Sequence, residues 1–258
     1  MFAKKSLGQN FLMHRQTAER IVVAAALPEN ALVLEIGPGT GMLTKELLAA
    51  GHRVVAVEAD NALAPELEET FKDEVGQGKL RVVHGDIREF DPKDVGETYH
   101  LVANIPYYIT GEIIRQFLTA AHKPRSMTLL VQKEVAERIA RSKKESLLSL
   151  SVKAYGEPKY CFTVPRGAFR PAPNVDSAVL YIGNVGSGAF KGSEASFFEV
   201  LHVGFAHKRK RLAKNLAEKW GSDAVTAAFA RLALPENIRA EDLSLERWLG
   251  LANELTQP

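Results

Sequence analysis

The chain has 258 residues, of which 46% are hydrophobic and 25% charged, as is typical of a folded protein with one main core and a smaller second domain. No apolar run reaches the roughly 20 residues that a membrane helix needs, and the N-terminus lacks the apolar segment of a signal peptide. A single cysteine excludes a disulfide framework, and a net charge of +2 does not by itself indicate a partner. We therefore expect a cytoplasmic protein.

The first part of the chain has the pattern of a doubly wound α/β domain. A helix is predicted over Gln16–Ala26, and short apolar runs then alternate with helical patterns as far as about Arg138. The runs that predict strands are Leu32–Ile36, Arg53–Glu58, Leu80–His84, Leu101–Ala103 and Ser126–Val131. Near-continuous apolar strands separated by helices indicate a parallel sheet that is covered on both faces.

The rest of the chain changes character after two more predicted strands, Lys159–Val164 and Ser177–Ile182. We place the end of the first domain, 1–183, at the second of them. The glycine-rich segment 184–192 is predicted to be a linker, and 193–258 a small all-α domain. The four helices predicted there are Ala195–Phe205, Lys208–Trp220, Ala224–Leu232 and Ser244–Leu255.

The turn after the first predicted strand has the composition of a nucleotide-binding loop. It reads Glu35-Ile-Gly-Pro-Gly-Thr-Gly41 and leads into a helix, so its glycines allow a ligand to approach the backbone closely. The dinucleotide spacing would need glycine at position 42, which is Met42, and Pro38 removes an amide that a pyrophosphate would bind. The acidic Glu35 suits a positively charged ligand.

Acidic side chains follow the next two strands. Glu58, about 20 residues past the glycine turn, is placed to accept hydrogen bonds from ribose hydroxyls. Asp86 could accept from an adenine amine, and Ile87 could pack on the ring. Because the carboxyl ends of parallel strands meet at one edge, these features converge on one crevice. S-adenosylmethionine is the cofactor that fits this set best.

The fourth strand ends in Asn104-Ile-Pro-Tyr107, which is the strongest chemical signal in the sequence. An exocyclic aromatic amine is a poor nucleophile because its lone pair is delocalised into the ring. The Asn104 amide oxygen and the Ile105 carbonyl can accept its two hydrogens, and Pro106 restricts the residue before it. Tyr107 offers a face on which a flipped base can stack. Methyl transfer from a sulfonium depends mainly on alignment, so we expect no metal ion.

Taken together, these motifs resemble the ribosomal RNA adenine-N6 dimethyltransferases, and within that family its small-subunit members. The resemblance covers nearly the whole chain. It implies a Rossmann-like class I methyltransferase sheet with a helical C-terminal domain. The segments that carry it are Leu7–Leu12, Glu35–Gly41, Glu58, Asp86, Asn104–Tyr107, Gln132–Val135, Ala168–Ala178 and Phe205–Arg211.

The resemblance also assigns roles to residues. Asn10 and Leu12 would close over the cofactor, and Gly37 would line its methionine part. Glu58, Asp86 and Asn104 would complete the cofactor site, and Tyr107 and Phe169 would sandwich the target base. The implied products are dimethyladenosines at two adjacent adenines in a hairpin loop near the 3′ end of 16S RNA.

The implied partner is 16S RNA within the small ribosomal subunit or its precursor. We expect a basic helix that includes Lys208, Arg209, Lys210 and Arg211 to contact it, and we expect a monomer with no membrane contact.

Two departures from the family pattern keep alternatives open. Small-subunit members usually have leucine where this chain has Ile105, and the isoleucine is more like the antibiotic-resistance methyltransferases of 23S RNA. Tyr108 replaces the usual asparagine or histidine and would alter the base pocket. The alternative functions are a 23S RNA adenine-N6 methyltransferase that confers antibiotic resistance and a non-catalytic RNA-binding assembly factor.

Overall fold

The computed structural model describes residues 8–96, 98–186, 189–190, 193–207 and 209–256. Contacts within the chain form two compact units. The first comprises Met1–Glu137 and Gly156–Gly186, and the second comprises Arg138–Tyr155 and Ser187–Pro258. The second unit thus includes a segment from the middle of the chain in addition to the C-terminal helices.

The first unit is built on a seven-stranded sheet with the order β4-β3-β2-β5-β6-β9-β7. Strands β2, β3, β4, β5 and β6 run parallel to one another, whereas β9 runs antiparallel to both β6 and β7. Their bounds are β2 Leu32–Ile36, β3 Arg53–Glu58, β4 Leu80–His84, β5 His100–Asn104, β6 Met127–Gln132, β7 Glu157–Val164 and β9 Ser177–Gly183. The predicted doubly wound sheet is confirmed.

The strand order reverses between β2 and β5, because β3 and β4 extend to one side and β6 to the other. At such a switch point the loops after neighbouring strands diverge and leave a crevice outside the carboxyl ends. The crevice of this unit is lined by residues that follow β2, β3, β4 and β5. The topology therefore brings together side chains that are far apart in sequence.

Helices cover this sheet, and a short strand pair lies beside it. The helices are α1 Arg15–Ala25, α2 Met42–Ala49, α3 Leu63–Thr70, α4 Lys72–Gly76, α5 Thr110–Thr119 and α6 Lys133–Ala140, the last of which crosses the unit boundary. Strand β1, Phe11–Leu12, pairs antiparallel with β8, Phe169–Arg170. The pairing fixes the N-terminal segment against a loop that is more than 150 residues later in the chain.

The second unit is helical. Its helices are α7 Leu147–Tyr155, α8 Glu194–Phe205, α9 Leu212–Trp220, α10 Ser222–Arg231 and α11 Leu245–Thr256. They share one apolar core, which includes Leu150 of α7, Phe197 of α8 and the fully buried Trp248 of α11. Helix α7 was not among the helices predicted from the sequence.

The predicted basic helix begins later than expected. Helix α9 starts at Leu212, and the described basic residues that precede it, Arg209–Arg211, lie in a loop after α8. The buried side-chain amide of Asn215 donates to the carbonyls of Gly204 and His207, at 2.6 Å and 3.2 Å. These bonds connect α9 to the last turn of α8 and to the residue two positions after α8 ends.

Candidate active site

The glycine turn after β2 is shaped by three residues with positive φ, namely Gly37, Gly39 and Gly41. A Cβ on Gly39 would lie 2.9 Å from the Phe11 ring, and one on Gly41 would lie 2.5 Å from the Phe71 ring. At Gly37, by contrast, no atom of the described residues other than Gly37 and its two chain neighbours lies within 4 Å of the Cβ position. Gly39 and Gly41 therefore allow the two phenylalanine rings to pack against the turn, and Gly37 leaves space on the crevice side of the turn.

Glu58 joins this turn to the end of β3. Its side chain is only 5% exposed, and one carboxylate oxygen accepts the Gly39 N–H at 3.0 Å while the other accepts the Asp60 N–H at 2.9 Å. Burial raises the pKa of Glu58, and the two backbone donors oppose that rise. Each carboxylate oxygen has a further lone pair, so Glu58 can also accept bonds from ligand hydroxyls.

Glu35 is a second buried acid in the crevice wall. The Thr44 hydroxyl donates to it at 2.7 Å. Burial, with a smaller contribution from the neighbouring Glu58, raises the pKa of Glu35 to about 8. Glu35 therefore keeps its proton at neutral pH in this structure. The sequence pattern indicated an acid in the loop and did not reveal that the acid is fully enclosed.

Asp86 lines the crevice as predicted, and it has a partner that the sequence pattern did not reveal. The Arg88 guanidinium forms an ion pair with its carboxylate, and the Arg88 N–H also donates to it at 2.9 Å. The hydrogen bond from Arg88 lowers the pKa of Asp86. Arg88 also lines the crevice.

Asn104 lies at the end of β5 with a defined amide orientation. Its Nδ2 donates to the backbone carbonyl of Asn10 at 3.0 Å. With the nitrogen bound there, Oδ1 is the side-chain atom that serves as an acceptor. The next peptide is held as well, because the buried Ile105 donates its N–H to the Leu130 carbonyl at 3.3 Å.

Tyr107 is half-buried beside Asn104, and its ring is fixed by its hydroxyl. That hydroxyl and the Ser177 hydroxyl lie 2.6 Å apart. Burial raises the pKa of Tyr107, so the phenol is neutral at physiological pH. The ring lines both the crevice and a second groove next to it.

Phe169, the other predicted base-stacking residue, has a different place. It is 5% exposed, lies opposite Leu12 in the β1–β8 pair and belongs to the apolar core of the first unit. Among the described residues, those that line the two grooves include Tyr107 and not Phe169. The structure thus brings one of the two predicted rings to the crevice surface.

The N-terminal segment 8–12 forms one wall of the crevice, and both Asn10 and Leu12 line it. The segment is held by the Asn104 bond to Asn10 and by a bond from the Gln9 amide to the Asp60 carboxylate at 3.0 Å. Gln9 lies in the Leu7–Leu12 motif, yet the motif alone did not predict this contact.

Tyr108 closes the rim of the crevice. A Cβ on Gly8 would lie 2.9 Å from the Tyr108 ring, so the ring rests on the glycine. Tyr108 is 62% exposed and lines the cofactor crevice rather than the neighbouring groove. Its ring therefore does not fill the space next to Tyr107.

The predicted RNA-binding residues that the structure describes are exposed. Arg209, Lys210 and Arg211 all lie on the loop before α9, and Lys210 forms a 3.3 Å ion pair with Glu218. Lys208, the fourth predicted RNA-binding residue, lies outside the described residues. Within the described part of the chain, no cluster of three or more His, Cys, Asp or Glu could hold a metal ion, and no helix is long and apolar enough to cross a membrane.

Comparisons with known proteins identify similar chains. A family model described as ribosomal RNA adenine dimethylase matches residues 2–257. A ribosomal RNA small subunit methyltransferase A from Dehalococcoides mccartyi is 42% identical over 253 residues, which is 95% of this chain and 86% of the relative. A protein of the same name from Synechocystis is 37% identical over 276 residues, or 98% of this chain and 96% of the relative.

Two solved structures resemble the chain over most of its length. The 23S rRNA methyltransferase ErmE aligns with a TM-score of 0.77 and 28% identity, covering 96% of this chain and all of that one. A dimethyladenosine transferase from Plasmodium falciparum aligns with a TM-score of 0.79 and 24% identity, covering 93% and 95%. The second comparison supports the fold alone.

Proposed function

Because this chain belongs to the ribosomal RNA adenine dimethylase family, we propose that it dimethylates N6 of two adjacent adenosines in a hairpin loop near the 3′ end of 16S ribosomal RNA. The curated relatives that are 36–42% identical are all named small subunit methyltransferase A. This agreement favours 16S RNA over 23S RNA. The proposed substrate is the small ribosomal subunit or its precursor.

The observation that carries the proposal is the bond from Asn104 Nδ2 to the Asn10 carbonyl. It leaves Asn104 Oδ1 as an acceptor next to the ring of Tyr107. An adenine whose N6 donates to Asn104 Oδ1 and to the Ile105 carbonyl keeps its two amine hydrogens in fixed directions. The nitrogen lone pair then points out of the base plane, where it can attack an electrophilic carbon.

The crevice residues fit S-adenosylmethionine, which supplies an electrophilic methyl group on a positively charged sulfur. Gly37 offers open space beside the turn, and the buried Glu58 offers carboxylate lone pairs to ribose hydroxyls. Asp86 would accept from the adenine amine, and Asn10, Leu12 and Asn104 would form the wall on the opposite side. Binding at Asp86 would require Arg88 to share or release that carboxylate.

Methyl transfer here needs alignment more than proton abstraction. Asn104 and Ile105 orient the amine, and Tyr107 holds the base plane, with its own position fixed by Ser177. The N–H acidity of the attacking amine rises once the fourth bond to nitrogen forms, so its proton can pass to solvent without a strong base. After one methylation, one N–H remains for either acceptor, which is compatible with a second transfer.

The exposed basic residues Arg209–Arg211 would supply electrostatic attraction to ribosomal RNA, and that contact should weaken as salt rises. We propose Lys208, Arg209, Lys210 and Arg211 as the RNA-binding residues of this segment. A monomer in the cytoplasm, where small subunits assemble in bacteria, agrees with this substrate and stays a prediction.

The deciding experiment is labelled methyl transfer to immature small subunits from a strain that lacks the modification, with mass spectrometry to locate the methylated nucleotides. We expect two adjacent N6,N6-dimethyladenosines in 16S RNA. No label in adenine, under conditions in which the cofactor binds, would refute the proposal.

A 23S substrate is the second candidate, since the 23S rRNA methyltransferase ErmE is a structural relative at 28% identity. The resemblance drawn from the sequence also relates Ile105 to the resistance enzymes. Macrolide susceptibility of a host that expresses the chain separates the two, because only the 23S activity would make it resistant. A non-catalytic assembly factor is disfavoured by the intact Glu58, Asp86 and Asn104. If the protein also has an assembly role, an Asn104 variant should remain bound to immature subunits.

A further inference from the structure

Arg170 is an exposed cation beside the active site that the proposed methyl transfer does not use. It is paired with Phe11 in the short β1–β8 ladder. Directly opposed residues of an antiparallel pair project to the same face. Phe11 lines the crevice, and a Cβ on Gly39 would lie 2.9 Å from its ring. The Arg170 side chain therefore leaves the ladder on the face of Phe11, whereas Leu12 and Phe169 project from the other face into the core.

Arg170 also adjoins the second groove. That groove is lined by Tyr107, by Gln132 and by the loop from Pro171 to Val175, and Arg170 is the residue before this loop. Its ladder partner Phe11 lines the crevice. Arg170 thus lies between a residue that lines the crevice and a residue that lines the groove.

The Arg170 side chain is available to a ligand. Within the part of the chain that the structure describes, its guanidinium forms no ion pair and no hydrogen bond. Arg88, which lines the crevice, is by contrast paired with Asp86. Since a guanidinium carries five N–H donors, Arg170 keeps all of them for a substrate.

Neither the crevice nor the groove suits a phosphate group. The charged residues that line the crevice, among those described, are Glu35, Glu58, Asp86 and the paired Arg88. The described residues that line the second groove are all uncharged. A nucleotide whose base enters either space would therefore keep its phosphates outside, where water or an exposed cation can neutralise them.

Arginine is well suited to a phosphodiester, because its planar guanidinium can donate two parallel N–H bonds to the phosphate oxygens. Such contacts fix the register and orientation of a nucleic acid strand. From the position, exposure and charge of this side chain, we infer that Arg170 binds a backbone phosphate of the RNA strand whose base enters the active site. The inference rests on the proposed function, because it needs an RNA substrate.

This contact differs from the one proposed for Arg209–Arg211. Several exposed cations on one segment attract any phosphate chain that comes near them. Arg170 lies one residue from the wall of the groove, so its partner is a phosphate close to the methylated nucleotides. One linkage of the RNA hairpin should therefore depend on Arg170, and the other linkages should not.

The test uses the full-length protein and small-subunit particles reconstituted with 16S RNA whose 3′ hairpin carries one uncharged methylphosphonate linkage at a time. Affinity for the particles is measured for wild type, Arg170→Gln and Arg170→Lys at several salt concentrations. Arg53→Gln is the matched control, because Arg53 is exposed and begins β3, whose other end lines the crevice. Thermal unfolding and cofactor titration check that each variant keeps the fold and the cofactor site.

With unmodified particles, Arg170→Gln should weaken binding about fivefold to tenfold and reduce the slope of log affinity against log salt by about one. Arg170→Lys should keep the slope, because it keeps the charge, and should lose part of the affinity with the planar fork. At one linkage, the methylphosphonate should weaken binding of wild type by the same factor and binding of Arg170→Gln no further. Arg53→Gln should match wild type throughout.

The inference is overturned if Arg170→Gln binds the particles as tightly as Arg53→Gln does. It is also overturned if every linkage affects Arg170→Gln as much as wild type, because the arginine would then contact something other than a phosphate of the hairpin. Absence of methyl transfer by wild type to the unmodified particles would instead refute the proposed function. The two failures are thus distinguishable.

Discussion

The crevice and the basic residues Arg209–Arg211 place their polar side chains in opposite environments. In the crevice, Glu58 and Asn104 are held by hydrogen bonds to backbone groups of other segments. Arg209, Lys210 and Arg211, by contrast, are exposed, and Lys210 forms an ion pair with the exposed Glu218. The first region fixes atoms, and the second presents charge.

This difference has a consequence for specificity. Buried and oriented acceptors distinguish one atom of a ligand from another, because a misplaced partner leaves a buried polar group unsatisfied. Exposed cations attract any phosphate chain, and salt weakens that attraction. We therefore expect the chemistry to depend on the crevice and the affinity for RNA to depend partly on the loop.

Asn104→Ala should produce the largest difference between the effect on methyl transfer and the effect on subunit binding. Loss of the acceptor for the adenine amine should lower the rate of methyl transfer by about 1000-fold, since one oriented polar group in an active site contributes about that much. Cofactor affinity should fall less than about tenfold, and subunit binding should be kept. Single-turnover transfer and cofactor titration measure the two effects.

The matched control is Asn61→Ala, which removes an exposed asparagine that does not line the crevice. Equal losses of rate and cofactor affinity in Asn104→Ala would mean that Asn104 acts only as a cofactor ligand.

Glu35 allows the burial of the crevice to be measured through pH. Its pKa is about 8 in the folded chain, well above that of an unfolded glutamate. As pH rises between about 5 and about 8, the unfolded chain loses this proton while the folded chain keeps it, so wild-type stability falls. Glu35→Gln removes that fall, and its advantage in the free energy of unfolding should grow by on the order of 4 kcal/mol over this interval.

Urea unfolding of wild type and Glu35→Gln at both ends of the interval provides the measurement. Parallel pH profiles for the two proteins would show that Glu35 ionises normally in the fold.

Glu58→Gln should weaken cofactor binding by about 10- to 100-fold, because a charged acceptor is lost. The amide nitrogen of the variant would also face a backbone N–H of Gly39 or Asp60, which disturbs the glycine turn. Binding to small subunits at constant salt should stay close to wild type. Cofactor affinity unchanged from wild type would exclude Glu58 from the ribose site.

Replacing Lys208, Arg209, Lys210 and Arg211 by glutamine tests the second region. We expect affinity for small subunits to fall about tenfold at low salt, with a shallower dependence of log affinity on log salt. Cofactor affinity should not change. The assignment of this loop to RNA fails if the salt dependence of the variant equals that of wild type.

The smallest effect should come from Tyr107→Phe, which keeps the ring and removes the hydroxyl that bonds to Ser177. One neutral hydrogen bond is worth about 1 kcal/mol, so a rate decrease of about threefold to tenfold is expected. Ser177→Ala should behave in the same way, because it removes the other half of the bond. A loss as large as that of Tyr107→Ala would mean that the hydroxyl, and not the ring, contacts the substrate.

Sequence patterns determined much of the first unit. The predicted strands Leu32–Ile36, Arg53–Glu58 and Leu80–His84 match β2, β3 and β4 residue for residue. These strands are short runs rich in valine, leucine and isoleucine and are bounded by glycine or polar residues, so local composition is enough to define them, even for β4 at the edge of the sheet. Glu58, Asp86 and Asn104 could be predicted as crevice residues for the same reason, since each lies at or just after a strand end.

Tertiary contacts decided what local composition could not. The basic segment has a helical pattern, yet the Asn215 bonds to Gly204 and His207 hold Arg209–Arg211 in a loop. Packing likewise determined that Phe169 is a core residue and that Arg88 pairs with Asp86.

The sequence by itself determined the strands of the main sheet in chain order, the acids and the amide at their ends, and with them the family. Only the tertiary structure determined the proton on Glu35, the orientation of the Asn104 amide and the second groove beside Tyr107. Periodicity and turn residues act over a few neighbours in the chain. Burial and hydrogen-bond direction depend on segments that meet only after folding.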